Sequence, residues 1–144
     1  MDIGPADPVP VVDKIYLDTA YVCVRWVSAG SWVEVAWKAW ANSTEYRAAH
    51  ETVITALREN HASKNLIDAR EARVVSHADQ QWLIEKWIPR ATAAGRRWTA
   101  VVMPKSALAR TISENIDKRP RLNLTKVEYF DTVEEAAPWL STVD

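Results

Sequence analysis

From Trp32 to the C-terminus, short runs rich in β-branched and aromatic residues take turns with stretches whose apolar residues recur every three or four positions. This alternation limits the chain more than any other feature. Strands that alternate with amphipathic helices can bury their apolar faces only by forming a largely parallel sheet covered by helices.

The leading part of that pattern is a β meander. Lys14 to Asp18 reads as a short strand. Tyr21 to Val27 sets Val22, Val24 and Trp26 on one face and Tyr21, Cys23 and Arg25 on the other. Ala29-Gly30-Ser31 is a turn, and Trp32 to Lys38 sets Val33, Val35 and Trp37 opposite Trp32, Glu34 and Ala36. Half-polar neighbours of this kind predict an antiparallel pair packed on one side. Residues 1–12 carry Pro5, Pro8 and Pro10 and are expected to be a flexible lead-in rather than a helix.

The first helix is expected from a Ser43 cap to about His61, with Tyr46, Ala49, Val53, Ala56 and Leu57 inward. Asn65 to Ala69 is a short buried strand. Ser76 opens a second helix with capping-box spacing to Asp79, followed by the stripe Leu83, Trp87, Ala91 and Ala94. Gly95 falls where a left-handed C-terminal cap belongs, and Pro89 should kink the helix near residue 85 or split it. Trp98 to Met103 is a continuous apolar run and reads as a central strand ended by Pro104. Ser106 opens a third helix with Leu108, Ile112 and Ile116 inward. Leu122 to Phe130 is the last strand. Thr132 to Glu135 caps a final helix carrying Ala136, Leu140 and Val143, weakened by Pro138. The expected fold is α/β: a mixed sheet with an N-terminal antiparallel meander and about four helices, in one domain over 13–144.

Composition narrows the classes further. Only three of 144 residues are glycine, which argues against an all-β fold of tight turns and against glycine-rich phosphate loops. The lone Cys23 cannot form an intrachain disulfide, and the N-terminus lacks the basic start and apolar stretch of a signal peptide. No apolar run is long enough to span a bilayer. These features predict a cytoplasmic protein with no membrane span. Residues 84–126 carry a net charge of +7, flanked by acidic segments, and are read as internally compensated.

Particular runs resemble the SpoIIAA-like family, whose fold is shared with STAS domains. They are Trp37-Lys38, Glu45-Tyr46-Arg47, Leu66-Ile67-Asp68-Ala69-Arg70, Val75-Ser76 and Asp79-Gln80-Gln81-Trp82. They continue with Trp87-Ile88-Pro89-Arg90, Ala94-Gly95, Tyr129-Phe130-Asp131 and Glu134-Glu135-Ala136-Ala137-Pro138-Trp139-Leu140. The resemblance covers roughly residues 14–142. It implies a bacterial-type, non-enzymatic domain used for protein contacts or for holding a small apolar ligand. It also implies Ser76 as a phosphorylation position, because relatives that switch partners carry their modified serine at the start of the helix after the Asp-bearing strand. Here that stretch reads Val75-Ser76-His77-Ala78, whereas those relatives have an Asp-Ser-Ser-Gly-like sequence.

Candidate contact residues come from two arguments. In open α/β sheets, ligands sit at the carboxyl ends of the strands, which selects Asp68, Arg70, Lys105 and Ser106, with Ser76 at a helix start that favours an anion. Asp68 can equally pair with Arg70, and both serines can be plain caps. The eight tryptophans are the second source. Trp82 and Trp87 lie five positions apart, too far round an α-helix to share one narrow stripe, so some tryptophans should lie at a partner face or a pocket, or else the set fills the core of a domain with one phenylalanine. A pocket between sheet and helices would be lined by some of Trp37, Trp82, Trp87 and Trp98.

His50, His61 and His77 show no metal-binding spacing, and no nucleophile or nucleotide motif is present, so neither a metal nor a cofactor is expected. Lys118-Arg119-Pro120-Arg121 with Lys126 lacks neighbouring exposed aromatics, so nucleic acid is not an expected partner. Three functions are carried forward: an interaction or regulatory module, forming a homodimer or binding another protein; a carrier of a small apolar or lipid-like ligand in a tryptophan-lined pocket; and an enzyme of unknown class.

Overall fold

The computed structural model of the chain describes residues 13–117 and 125–144. The expected lead-in of residues 1–12 and the basic run 118–121 lie outside them. Six strands form one sheet in the order β1-β2-β3-β4-β5-β6. They are β1 (Lys14–Asp18), β2 (Val22–Val27), β3 (Trp32–Trp37), β4 (Lys64–Asp68), β5 (Trp98–Val102) and β6 (Lys126–Phe130). The first three pair antiparallel and the last four pair parallel, so the sheet is mixed with a meander at one edge.

Each parallel crossover advances one place along the sheet. Right-handed connections of that kind lay every crossover helix on the same face. That face carries α1 (Ser43–Glu59), the α2 (His77–Trp82) and α3 (Ile88–Ala93) pair, and α4 (Ala107–Asp117). Its core joins Val22, Val24, Val33 and Val35 of the sheet to Ala49, Val53 and Leu57 of α1 and to Trp87 and Ala91. Only α5 (Val133–Ser141) turns to the opposite face, where Ala136 and Leu140 cover Leu66, Ala100 and Val102. Period-two alternation places all four inward valines of the meander as the sequence predicts.

Three local outcomes differ from the sequence reading. The cap of α1 is Asn42, not Ser43: its side chain accepts from the Glu45 amide at 2.8 Å, and Glu45 returns a bond to the Asn42 amide at 3.0 Å. Asn caps as well as Ser, and Ser43 is thereby freed for a tertiary bond. In α4, Leu108 is 60% exposed and the buried residue is Ala109, one position on. Ser106 still caps that helix through the Ala109 amide at 3.3 Å. Between α2 and α3 the expected split occurs, but as a π turn over Leu83–Trp87 instead of a bend, with Pro89 in the first turn of α3. The proline's missing N–H is unneeded there.

Two helix ends close by the same hydrogen-bond pattern with different residues. After α3, the Gly95 amide reaches Thr92 and the Arg96 amide reaches Ala91, with Gly95 at φ +111°. After α1, the His61 amide reaches Arg58 and the Ala62 amide reaches Leu57, with His61 at φ +49°. Both are Schellman caps, and a side chain at the left-handed position costs about 1 kcal/mol or more. His61→Gly should therefore raise the urea midpoint by an amount equivalent to up to about 1 kcal/mol, while Gly95→Val should lower it by at least as much. Opposite signs in equilibrium unfolding check both assignments; a destabilised His61→Gly would show that the imidazole contributes more than its backbone strain removes.

Candidate functional site

A cavity of about 560 Å³ lies on the α1 face of the sheet, within the roughly 300–1,000 Å³ typical of small-molecule sites. Its sheet wall is Val35, Ile67, Val101 and Val127; α1 contributes Ala49 and Val53, and α4 contributes Ile112 and Ile116. The rim sits at the carboxyl end of the parallel strands, where the loop around Trp40 and the connector around Val74 meet. Trp40 and Val74 are 64% and 44% exposed, so two large apolar side chains flank the way in.

One side of the cavity is a cluster of rings. Trp37 stacks on Tyr46 at 5.4 Å, and Tyr46 lies 4.4 Å from the His50 ring. His50 meets Trp82 edge-on at 5.9 Å and Trp87 edge-on at 4.8 Å. Sequence spacing predicts that Trp82 and Trp87 diverge, because five α-helical steps leave them roughly 140° apart. The π turn overturns this: the Ile88 amide bonds to Leu83 O, five residues back, and the wider turn brings both indoles to one imidazole. The Trp87 indole N–H also donates to the His50 carbonyl at 2.7 Å.

His50 Nδ1 lies 2.8 Å from the Tyr46 carbonyl, which can only accept, so Nδ1 carries the proton. Burial pushes the imidazole down to about 4; the bond to Tyr46 opposes this in part, and the Arg96 charge adds to it. The Tyr46 phenol is pushed up, first by burial and then by the Asp79 carboxylate.

The inner end of the cavity is polar. Asn65, Thr99 and Arg96 all line it and are 0%, 1% and 3% exposed. Asn65 and Thr99 are register partners on β4 and β5, and Arg96 donates to Thr99 Oγ1 at 2.9 Å while its guanidinium lies 4.9 Å from the Trp87 ring centre. Asn65 Nδ2 donates to the Val33 carbonyl at 2.9 Å, and Oδ1 is buried with no hydrogen-bond partner among the described residues. Nothing in the sequence separates this Asn from any other polar residue at a strand start.

The residues expected at the strand ends do gather there, but they satisfy one another. Arg70 holds Asp68 through two side-chain bonds of 2.9 and 2.8 Å and one backbone bond, which outweigh burial and hold the Asp68 carboxyl below its usual range. Lys105 pairs with Glu71, and Ser106 caps α4. Ser76 caps α2 through the Asp79 amide at 3.2 Å, with an exposed residue surface. The Asp79 carboxylate, itself buried, takes the Ser43 hydroxyl at 2.7 Å and Arg47 Nε at 2.9 Å, tying α2 to α1. Burial works against that carboxylate, but these bonds hold it below its ordinary value. Ser76 and Trp87 line the cavity; Asp68, Arg70, Lys105, Ser106 and Trp82 do not. Trp98 lies on the opposite face beside Trp139, so the wall uses Trp37, Trp87 and the unforeseen Trp40.

Among the described residues, no group of three or more His, Cys, Asp or Glu is placed to hold a metal ion, and no helix is long and apolar enough to cross a membrane. Lys126, the described part of the basic cluster, pairs with Glu128 at 3.6 Å. Burial raises the Cys23 thiol. Comparison with protein-family models, with curated proteins and with solved structures finds no match to this chain.

The His50 site predicts a pH dependence with a definite sign. The unfolded imidazole takes up a proton near 6.5 and the folded one only near 4, so falling pH favours unfolding throughout that window. His50 should therefore cost about 2 kcal/mol of stability between roughly pH 7 and pH 5, above the range where most carboxylates titrate. Urea unfolding at both pH values checks this, and His50→Phe should flatten the slope; an equally steep variant would assign the effect elsewhere.

Proposed function

We propose that this chain is a SpoIIAA-like binding domain that carries a small, mostly apolar ligand between its sheet and helices. The observation that supports this reading is the cavity of about 560 Å³, walled by aliphatic side chains and a ring cluster. The strand order, with its leading meander and stepwise parallel crossovers, fits the SpoIIAA-like resemblance carried by the sequence. A second reading, an interaction module or homodimer, is favoured by one observation. Trp40 and Val74 stand exposed at the same rim, where an apolar partner surface would cover them. A phosphate on Ser76 would sit one helical turn from the buried Asp79 carboxylate, so the geometry supports ligand binding better than a phosphoswitch.

The test uses Nile red as an apolar probe. The protein should take it up saturably at one site, with enhanced emission. Ile112→Trp, which fills the cavity from α4, should weaken uptake at least about tenfold, equivalent to about 1.4 kcal/mol, with little loss of fold. Absence of saturable uptake, or uptake indifferent to this substitution, would refute the carrier reading. Trp40→Ser separates the two readings. If it dissociates a dimer in sedimentation while uptake persists, the rim is an interface and the interaction module gains.

A further inference from the structure

The polar atoms around the cavity are not distributed evenly, and their hydrogen bonding differs between its two ends. At the rim several of them answer one another. Asp79 receives Ser43 and Arg47, and Ser76 accepts the Asp79 amide. At the inner end one acceptor stands without a donor among the described residues: Asn65 Oδ1, on a side chain with no outer exposure. Arg96, which lines the same end, donates to Thr99, and Thr99 neighbours Asn65 across the strands. Asn65 lies three residues before Asp68 on β4, roughly 10 Å down the strand from the rim.

Buried acceptors without donors are unfavourable, and a ligand group that donates to them gains more than one that cannot. Between the two ends the walls are aliphatic and aromatic. We propose that the cavity takes an amphiphile polar end first, that this end is a neutral hydrogen-bond donor such as a hydroxyl, and that Asn65 Oδ1 accepts its hydrogen bond. The apolar tail then lies along Ile67, Val101 and Ile112 toward Trp40 and Val74. A neutral donor fits better than an ion, because a carboxylate has no proton to give Asn65 Oδ1 and a cation would meet the positive charge of Arg96 at the same end. This inference rests on the carrier reading and names the ligand class for the same cavity.

The experiment is competition for bound Nile red by dodecanol and by dodecyl methyl ether, using the wild-type protein. The two share a chain and an oxygen acceptor and differ in the O–H donor. Water favours the alcohol more than the ether, so general hydrophobicity alone predicts tighter binding of the ether. The expected result is displacement by the alcohol at a concentration at least about tenfold lower, with Asn65→Leu abolishing that preference while ether binding persists. Equal potency, or a tighter ether, would overturn the head-group assignment and leave the carrier reading standing. Displacement by neither from a protein that binds Nile red would also overturn the assignment, whereas absence of Nile red binding would remove the carrier reading itself. If Asn65→Leu does not fold, the wild-type comparison decides alone.

Discussion

The Trp87 indole fixes the geometry on which the helical layer depends. It is 3% exposed at the end of the π turn, and its N–H reaches back to the His50 carbonyl in the middle of α1. One face meets the Arg96 guanidinium and its edge meets the His50 ring. A single side chain therefore sets the distance between α1 and the α2–α3 unit, and it positions the loop that leads into β5. An α-helical run through residues 83–87 would rotate Trp82 or Trp87 out of this arrangement. The π turn is costly in isolation, and the buried aromatic contacts that it allows are the compensation.

Much of the fold was legible because strands and helices announce themselves by period. Val22, Val24, Val33 and Val35 follow alternation into the core, and Ala49, Val53 and Leu57 follow the helical stripe. The cap of α1 was misplaced by one residue because Asn42 and Ser43 are equivalent by propensity. Only the third dimension, where Asp79 claims the Ser43 hydroxyl, distinguishes them. The π turn left only an indirect trace, Pro89, which signalled that something happens near residue 85 without saying what. Along α4, Ile112 and Ile116 face the cavity as the stripe predicts but Leu108 does not: Leu108 and Ala109 both fit an apolar stripe, and the tertiary contacts bury the smaller one.

The site was legible in part, and the failure has a physical origin. A general rule for open sheets directs attention to the carboxyl ends of strands, and the cavity does have its rim there. Four charged residues at that rim, Asp68, Arg70, Lys105 and Glu71, close into local pairs instead of facing inward, whereas Arg73 of the connector lines the cavity. The polar residues that line the buried end, Asn65, Thr99 and Arg96, come from the opposite ends of the same strands. A void is a property of how far one layer stands from another. Strand and helix periodicities specify which face a residue takes, not how much space the opposing faces leave.

That space carries an energetic argument of its own. The cavity opens past Trp40 and Val74, so it is not a sealed void and something occupies it. Two fillings remain. Water entering past Trp40 and Val74 finds partners at Asn65 and Thr99 but none along Val53, Ile67, Val101 and Ile112, and a water needs two to four hydrogen bonds to be held. A molecule with an apolar body and one donating end satisfies both regions at once. The same walls that hold water poorly make the cavity favourable to fill, which couples the stability of the helical layer to occupancy of the site.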